Sequence, residues 1–472
     1  MTKYLLIASL LLGSMATKAQ DSWSLEKCVE YALENNLDVR QAQMNVQNSQ
    51  TNVMQSKSQF LPSVNASAYY GYNFGQRIDP FTNQFAQSTV NTGNFNLSAN
   101  WTLFAGLQNL NQLTQSQYNQ QSSDFAYKNV QYLTSLAVTT SFLQILFNQE
   151  SLSVAQKQME ITTLQVERTK KLVDAGSAPR GSLYDIEAQY AREELAMVDA
   201  DNQLILSYLS LKQLLRLPGD FNMQVVVPTT YDSASLALPT SLNMVIQTAY
   251  ETYPSIKSNE YALLSAEKQI NISNSAMIPR LSLSGSLGTG YSGNAKDVVS
   301  STLTGTDPIG WVEGNPTSLV VRPSYTTETR TQKFNEQITG NFNQSLGLSL
   351  SIPIFNKMNN MAEINRAKVN YSIQETTLEK EKQNVRQDIE KAYTSALAAF
   401  KKFKSTEKGL VSLNEAFNYA QKRFDVGMIN SVDYNVAKTN LYKAQSDLVK
   451  AKFDYIFRMK ILDFYQGKSL SL

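Results

Sequence analysis

Side chains alternate between the two faces of a β-strand, and four runs of this chain alternate apolar with small polar residues. From Asn94 to Phe104, Phe95, Leu97, Ala99, Trp101 and Leu103 share one face, while Asn94, Asn96, Ser98, Asn100 and Thr102 share the other. Val64, Ala66, Ala68, Tyr70, Tyr72 and Phe74 alternate with Asn65, Ser67, Tyr69, Gly71 and Asn73. Leu281, Leu283 and Leu287 alternate with Ser282, Ser284 and Ser286, and from Phe342 to Phe355 the residues Leu346, Leu348, Leu350, Ile352 and Ile354 alternate with Gly347, Ser349, Ser351 and Pro353. These runs predict strands over residues 62–76, 94–104, 280–291 and 341–355. A bilayer-spanning strand needs about 9–11 residues with aromatic rings near the interfaces. The lengths fit, with Tyr70, Tyr72, Phe74, Phe95, Trp101 and Phe342 as membrane-facing aromatics. A soluble sandwich strand alternates in the same way, so one run alone leaves both readings open. Four strands are too few for a barrel, which needs at least about eight, so closure requires several copies of the chain.

Between the strand pairs the pattern changes to that of long helices. The segment from Leu107 to Ala175 contains neither glycine nor proline, and its 69 residues as one helix measure about 100 Å. The turn Gly176-Ser177-Ala178-Pro179-Arg180-Gly181 ends it, and a return helix is expected from Ser182 to Leu217. The same plan recurs. Ser24 and Ser241, Ala32 and Ala249, and Pro62 and Pro279 pair at a spacing of 217, whereas Phe104 and Phe355, and Asp174 and Asp425, pair at 251. The second half has therefore gained 34 residues between its strands. This insert, Tyr291 to Lys333, is rich in Gly, Ser, Thr and Pro and reads as a surface loop.

In the second half the long helix is expected from Ile354 to Val426, interrupted only by Gly409, with a turn at Gly427-Met428-Ile429-Asn430 and a return helix ending before Gly467. Tyr434, Ala437, Leu441, Ala444, Leu448, Ala451 and Tyr455 keep a 3-4 spacing and read as a coiled-coil core. The expected organisation is thus residues 20–217 as a first repeat, 218–240 as a linker and 241–472 as a second repeat.

Composition narrows the function. Lys3, the apolar run Tyr4 to Met15, and Thr17-Lys18-Ala19 have the three regions of a secretory signal, placing residues 1–19 in a cleaved segment. Its removal takes Lys3 and Lys18 from the 42 basic residues and leaves charge balanced against 40 acidic ones. No dense basic block remains, which argues against a nucleic-acid partner. Cys28 is the only cysteine and reads as a buried thiol. There is no histidine, which removes Ser-His-Asp and Cys-His chemistry and His-ligated metals. The carboxylates are scattered along helix faces, so no catalytic residue, metal or cofactor is assigned.

Trp23-Ser24-Leu25-Glu26 with Ala32-Leu33-Glu34-Asn35-Asn36, Phe60-Leu61-Pro62, Trp101-Thr102-Leu103-Phe104 and Arg423-Phe424-Asp425-Val426-Gly427 together resemble the TolC family of outer-membrane efflux proteins, over nearly the whole mature chain. The resemblance implies a mixed all-α plus transmembrane β fold. The protomer would be TolC-like, with long antiparallel helical hairpins and four strands contributed to a trimeric 12-stranded β-barrel continued by a helical tunnel across the periplasm. It implies an exit duct in the outer membrane of a Gram-negative bacterium, serving a tripartite efflux or type I secretion system and passively conducting drugs, small molecules or proteins. The implied partners are two further copies, outer-membrane lipid, a periplasmic adaptor (membrane fusion) protein, and an inner-membrane efflux pump or ABC secretion transporter.

The turn residues Gly176, Ser177, Ala178, Pro179, Arg180, Gly427, Met428, Ile429 and Asn430 become adaptor-contacting tips, and Phe424, Asp433 and Asp185 a periplasmic constriction. Where the family carries an Arg and two Asp after the second turn, this chain reads Ile429, Asp433 and Val436, so one carboxylate survives. The competing expectation is an exported trimeric coiled-coil surface or structural protein.

Overall fold

A computed structural model of the chain describes residues 22–75, 77–78, 83, 85–86, 89–226 and 241–468. The predicted signal segment and residues 227–240 of the predicted linker lie outside the described residues. In order the elements are β1 (Ser22–Trp23), α1 (Leu25–Asn35), α2 (Leu37–Ser58), β2 (Ser63–Asn73), β3 (Arg77–Ile78), β4 (Phe85–Ala86), β5 (Val90–Ala105), α3 (Gln108–Asp174), α4 (Arg180–Leu215) and β6 (Gln224–Val225). There follow α5 (Leu242–Thr252), α6 (Pro254–Ser275), β7 (Arg280–Ser292), β8 (Lys296–Val312), β9 (Asn315–Thr331), α7 (Phe334–Gly340), β10 (Asn343–Ser351), α8 (Asn359–Asp425) and α9 (Ser431–Tyr465). Leu25 and Leu242, Leu37 and Pro254, and Ser63 and Arg280 open elements at the spacing of 217; Gln108 and Asn359, and Arg180 and Ser431, do so at 251. Two compact units result, one of Met1–Thr51, Ser116–Ala266 and Asn370–Leu472, the other of Asn52–Gln115 and Glu267–Val369. Each unit draws on both sequence halves.

The first unit is helical. Each half opens with a helical segment that is broken once. Asn36 has extended backbone after α1, and its side-chain oxygen accepts from the amides of Asp38 (2.8 Å) and Val39, so one residue ends α1 and caps α2. Tyr253 is extended at the matching place, and Pro254, whose missing N–H costs nothing in a first turn, opens α6. Trp23, Leu25, Cys28, Val138, Phe142, Ile145, Leu211, Leu215 and Val225 form one core around the parallel β1–β6 pair. A second core gathers Val245, Ala249, Ile256, Val385, Ile389 and Phe464, and a third Ala399, Phe403, Ala451 and Tyr455. An 18-residue stretch of α3 reaches a mean hydropathy of 1.3, enough by composition for a membrane helix. Val138, Phe142, Leu143, Ile145 and Leu146 take that stretch into the first core, which accounts for its hydropathy.

Helices α3 and α8 have 67 residues each, about 100 Å at 1.5 Å per residue. Both end alike. Gly176 (φ 72°) and Gly427 (φ 76°) are left-handed, and the next residue's amide reaches back five positions, from Ser177 to Leu172 O and from Met428 to Arg423 O, both at 2.8 Å. That pairing satisfies the orphan carbonyls of a helix C-terminus. Three boundary expectations are corrected. Arg180 already begins α4, after Pro179, so the first turn is shorter than Gly176 to Gly181. Helix α8 starts at Asn359, not Ile354, because Lys357 and Met358 are left-handed. It then runs unbroken through exposed Gly409, where solvent replaces any packing that a side chain would supply.

The second unit holds an antiparallel sheet in the order β10-β7-β5-β2. Val64, Ala66, Ala68, Tyr70 and Tyr72 share a face with Phe95, Leu97, Ala99 and Trp101, with Leu281, Leu283 and Leu287, and with Leu346, Leu348 and Leu350, because the register pairs Ala66 with Leu97, Leu97 with Leu287, and Leu283 with Leu348. The opposite face carries serines and asparagines, with the Ser286 and Ser345 hydroxyls 2.8 Å apart. A bulge at Leu103 shifts the phase: Phe104, not Leu103, lines up with Leu281. The last strand stops at Ser351, short of Phe355, since its partner begins at Arg280 and Pro353 has no N–H to give a ladder. The expected loop in the insert is instead the long hairpin β8–β9 followed by α7. Its Gly, Ser, Thr and Pro content masked a run of Val and Thr, residues that suit a pleated strand.

Candidate functional site

The helical hairpins of the first unit bring four helix ends together. Gly176, Ser177, Ala178 and Pro179 form the turn between α3 and α4, with Arg180 the first residue of α4. Gly427, Met428, Ile429 and Asn430 join α8 to α9. These residues are exposed apart from Ala178 and Ile429, which are half-buried. The Asn430 side chain accepts from the Asp433 amide at 2.9 Å and caps α9, satisfying an N-terminal orphan donor and starting the helix there.

Behind the turns, Phe424 of α8 stacks on Tyr434 of α9 with ring centroids 4.7 Å apart. The Tyr434 hydroxyl accepts from Gln165 of α3, and burial pushes its pKa up. Arg168 of α3 reaches Asp425 of α8 at 2.6 Å. Both side chains are about half exposed, so the pair contributes roughly 0–1 kcal/mol. Together these groups border a cleft of about 320 Å³ whose apolar lining includes Ile161, Leu164, Leu172 and Ile186. Of the three expected constriction residues, only Phe424 joins this cluster. Asp185 and Asp433 lie exposed in the first two turns of α4 and α9, with no ion-pair partner among the described residues.

Deeper between α3, α4 and α9 lies a buried polar layer that sequence reading missed. Glu193 of α4 accepts from Gln158 (3.1 Å), Gln189 (2.7 Å) and the Thr162 hydroxyl, and that hydroxyl accepts from Lys438 Nζ at 2.5 Å. Lys438 Nζ lies 3.9 Å from Glu193, with side-chain exposures of 3% and 8%. Desolvation pulls the ammonium down from 10.5 to about 8, with the Glu193 charge opposing the shift. The signal was positional. Lys438 is four residues after Tyr434 and three before Leu441, and it takes the buried place that the stripe reading assigned to Ala437. Cys28 is fully buried as expected, its pKa pushed up to about 12 by desolvation.

On the sheet, Tyr70, Tyr72 and Trp101 are exposed on the apolar face, Phe95 is half-buried there, and Phe74 and Phe342 are exposed just outside β2 and β10. Trp101 donates its indole N–H to Phe60 O at 2.8 Å, which satisfies the one polar group of an otherwise apolar ring. Tyr70 stacks on Tyr291, and Phe334 of α7 packs edge-on against Phe95.

The sequence profile of the Outer membrane efflux protein family matches residues 28–215 and 245–458. The Outer membrane protein TolC of Vibrio cholerae serotype O1 is 21% identical over 405 residues, covering 86% of this chain and 81% of that protein. Among solved structures, CusC superposes with a TM-score of 0.75 at 16% identity, over 94% of this chain and 92% of that one. The Campylobacter jejuni CmeC outer membrane channel does so with 0.73 at 17%, over 95% and 87%.

Proposed function

The chain belongs to the outer membrane efflux protein family, and from that premise we propose that three copies form a duct through the outer membrane of a Gram-negative bacterium, carrying solutes outward from an inner-membrane transporter. The observation that carries this reading is the sheet of the second unit. It has four strands, its edge strands β2 and β10 each have one pairing side unfilled among the described residues, and its apolar face is exposed, with Leu346 at 80%. In hydrocarbon every backbone N–H and C=O needs a partner, so an open edge cannot persist there. Pairing β2 of one copy with β10 of the next removes every edge when the ring closes, and three copies give 12 strands, within the range of known barrels. The serine- and asparagine-lined face then turns to the water-filled lumen.

Conduction through such a duct is passive, and no chemical step is assigned to the chain. It works with a periplasmic adaptor and with an efflux pump or secretion transporter that supplies the energy. We place the adaptor contact at the turns Gly176 to Arg180 and Gly427 to Asn430, where the hairpins reverse and most residues are exposed, and the constriction at Phe424, Asp433 and Asp185. Native mass measurement in detergent should give three copies, and the purified protein should conduct ions stably in a planar bilayer. A stable monomer that conducts, or a trimer that does not, overturns the reading. A photo-crosslinker at Ser177 or Met428 should capture an adaptor in cells, whereas capture only from positions around Trp311 would reverse the assignment of the contacting end.

A further inference from the structure

The hairpin β8–β9 has two 17-residue strands, about 55 Å long, and from Ser301 to Thr331 nearly every side chain is exposed. Its two faces differ. Trp311 pairs with Leu319, Pro308 with Val321, Leu303 with Tyr325, and Val298 with Thr329, all on one face that carries no charge from Val298 to Trp311, with Lys296, opposite Thr331, at its base. On the other face Asp307 sits opposite Arg322, Ser300 bonds to Glu328, and Asp297 meets Arg330 at 3.2 Å. Val298, Leu303 and Pro308 are five residues apart, an odd spacing that would put Leu303 on the opposite face from its two neighbours in a regular strand. The register shifts past Val299 and Thr304, each adding one residue, return all three to the same face, and a third past Ile309 brings Trp311 onto it. An exposed two-stranded ribbon is only marginally stable in water, and an uncharged strip this long is the kind of surface that marks an interaction site.

Contacts at the base of the hairpin orient it. Arg330 bridges Asp297 and Glu336 of α7, at 3.2 and 3.3 Å, so the charged face is turned toward α7. Helix α7 in turn lays Phe334 against Phe95 and Tyr291 on the apolar face of the sheet. At its base, therefore, the charged face lies on the side the sheet presents to lipid, and the apolar face on the side of its serines and asparagines. The hairpin also leaves β7 at Ser292, the end of the sheet opposite the helix connections at Ala105 and Arg280.

We propose that the apolar faces of three hairpins, one from each copy, pack against one another as a collar around the external mouth of the duct. The inference rests on the trimeric duct proposed above. Lipid is a poor occupant because the face leaves the sheet on the side away from it, whereas ring closure holds three identical apolar faces about one axis at high effective concentration. The test uses the full chain in outer-membrane vesicles, where the only native cysteine, Cys28, is buried. Under mild oxidation Tyr325→Cys on the apolar face should give about tenfold more disulfide-linked dimer than Thr326→Cys on the charged face. Leu303→Cys should behave as Tyr325→Cys does, which guards against one variant folding badly. An intact trimer with equal linking at both faces overturns the collar alone. So does quenching by brominated lipid of a fluorophore attached at Tyr325→Cys, which would make the bilayer the occupant. A monomer by native mass overturns the duct and the collar together.

Discussion

Replacing Glu193 by glutamine strands the Lys438 ammonium among α3, α4 and α9 with the Thr162 hydroxyl as its remaining acceptor. Breaking one side of a buried ion pair costs about 3–5 kcal/mol. Lys438→Met should cost less, since Glu193 keeps donors from Gln158, Gln189 and Thr162. The pair also ties stability to pH. The folded state holds Lys438 at about 8 against 10.5 for an ordinary lysine, a difference of about 3 kcal/mol at 1.36 kcal/mol per unit. Because the folded value is the lower one, the unfolded chain binds the extra proton between about pH 8 and 10.5, and stability rises with pH through that window. Below it the full desolvation cost is present.

The assay is thermal unfolding in detergent by circular dichroism, at about pH 7 and about pH 10, comparing the wild-type chain with Lys438→Met. Burial and the Glu193 charge raise the pKa of Tyr442, and burial raises that of Tyr434. Those phenols lower stability as pH climbs past 10 in both proteins, so the difference between the two isolates the lysine. Relative to Lys438→Met, the wild type should gain roughly 3 °C from the lower pH to the higher. The double variant Glu193→Gln, Lys438→Met should recover most of what Glu193→Gln loses. If wild type and Lys438→Met respond equally to pH, or if the two losses simply add, the layer is not a coupled buried pair and the reasoning fails.

Gly106→Ala should lose about 2–3 kcal/mol, because φ is 60° and the new Cβ would lie 2.6 Å from Ile278 Cβ and 2.9 Å from Ser275 O, whereas Gly427→Ala, at φ 76° with nothing within 4 Å, should lose only about 1 kcal/mol. Paired unfolding curves check the ratio. Trp101→Phe keeps an aromatic ring but drops the bond to Phe60 O, so it should cost about 1 kcal/mol and leave trimer content on native gels unchanged. In the proposed trimer Asp433 sets three exposed carboxylates at one level, which should make the duct prefer cations and be blocked by trivalent cations from the periplasmic side, and in single-channel recordings Asp433→Asn should weaken that preference and lose the block. Unchanged selectivity, with a stability loss of about 0.3–1 kcal/mol, would make Asp433 only a favourable charge at the N-terminus of α9.

What could be read from sequence followed from periodicity carried by single residues. Alternation in Phe95 to Trp101 and in Leu346 to Leu350 survives in the sheet because pleating depends only on neighbours along the strand. The glycines at 176 and 427 marked both hairpin turns because only glycine enters the left-handed region freely. What escaped depends on residues far apart. Asn36 breaks a helix without glycine or proline because its side chain caps the next one, and Lys438 is buried because Glu193 and Thr162 arrive from two other helices. Neither partner is visible from the residue itself.

The insert shows the strongest form of this. Read at period two, Val298, Leu303 and Pro308 do not share a face, and β8 has no amphipathic signal. Its partner carries the signal: Val321 and Tyr325 in β9 alternate with Arg322, Ser324 and Thr326, and Leu319 falls on the same face as Val321. Three register shifts in β8 bring its apolar residues into phase with that regular strand. A bulge costs ladder hydrogen bonds and is retained where it re-aims side chains. The same shifts keep Asp297 opposite Arg330 and Asp307 opposite Arg322, so they hold both faces of the ribbon in phase. The spacing of five in β8 therefore keeps the apolar strip continuous along the hairpin, as a packing surface requires.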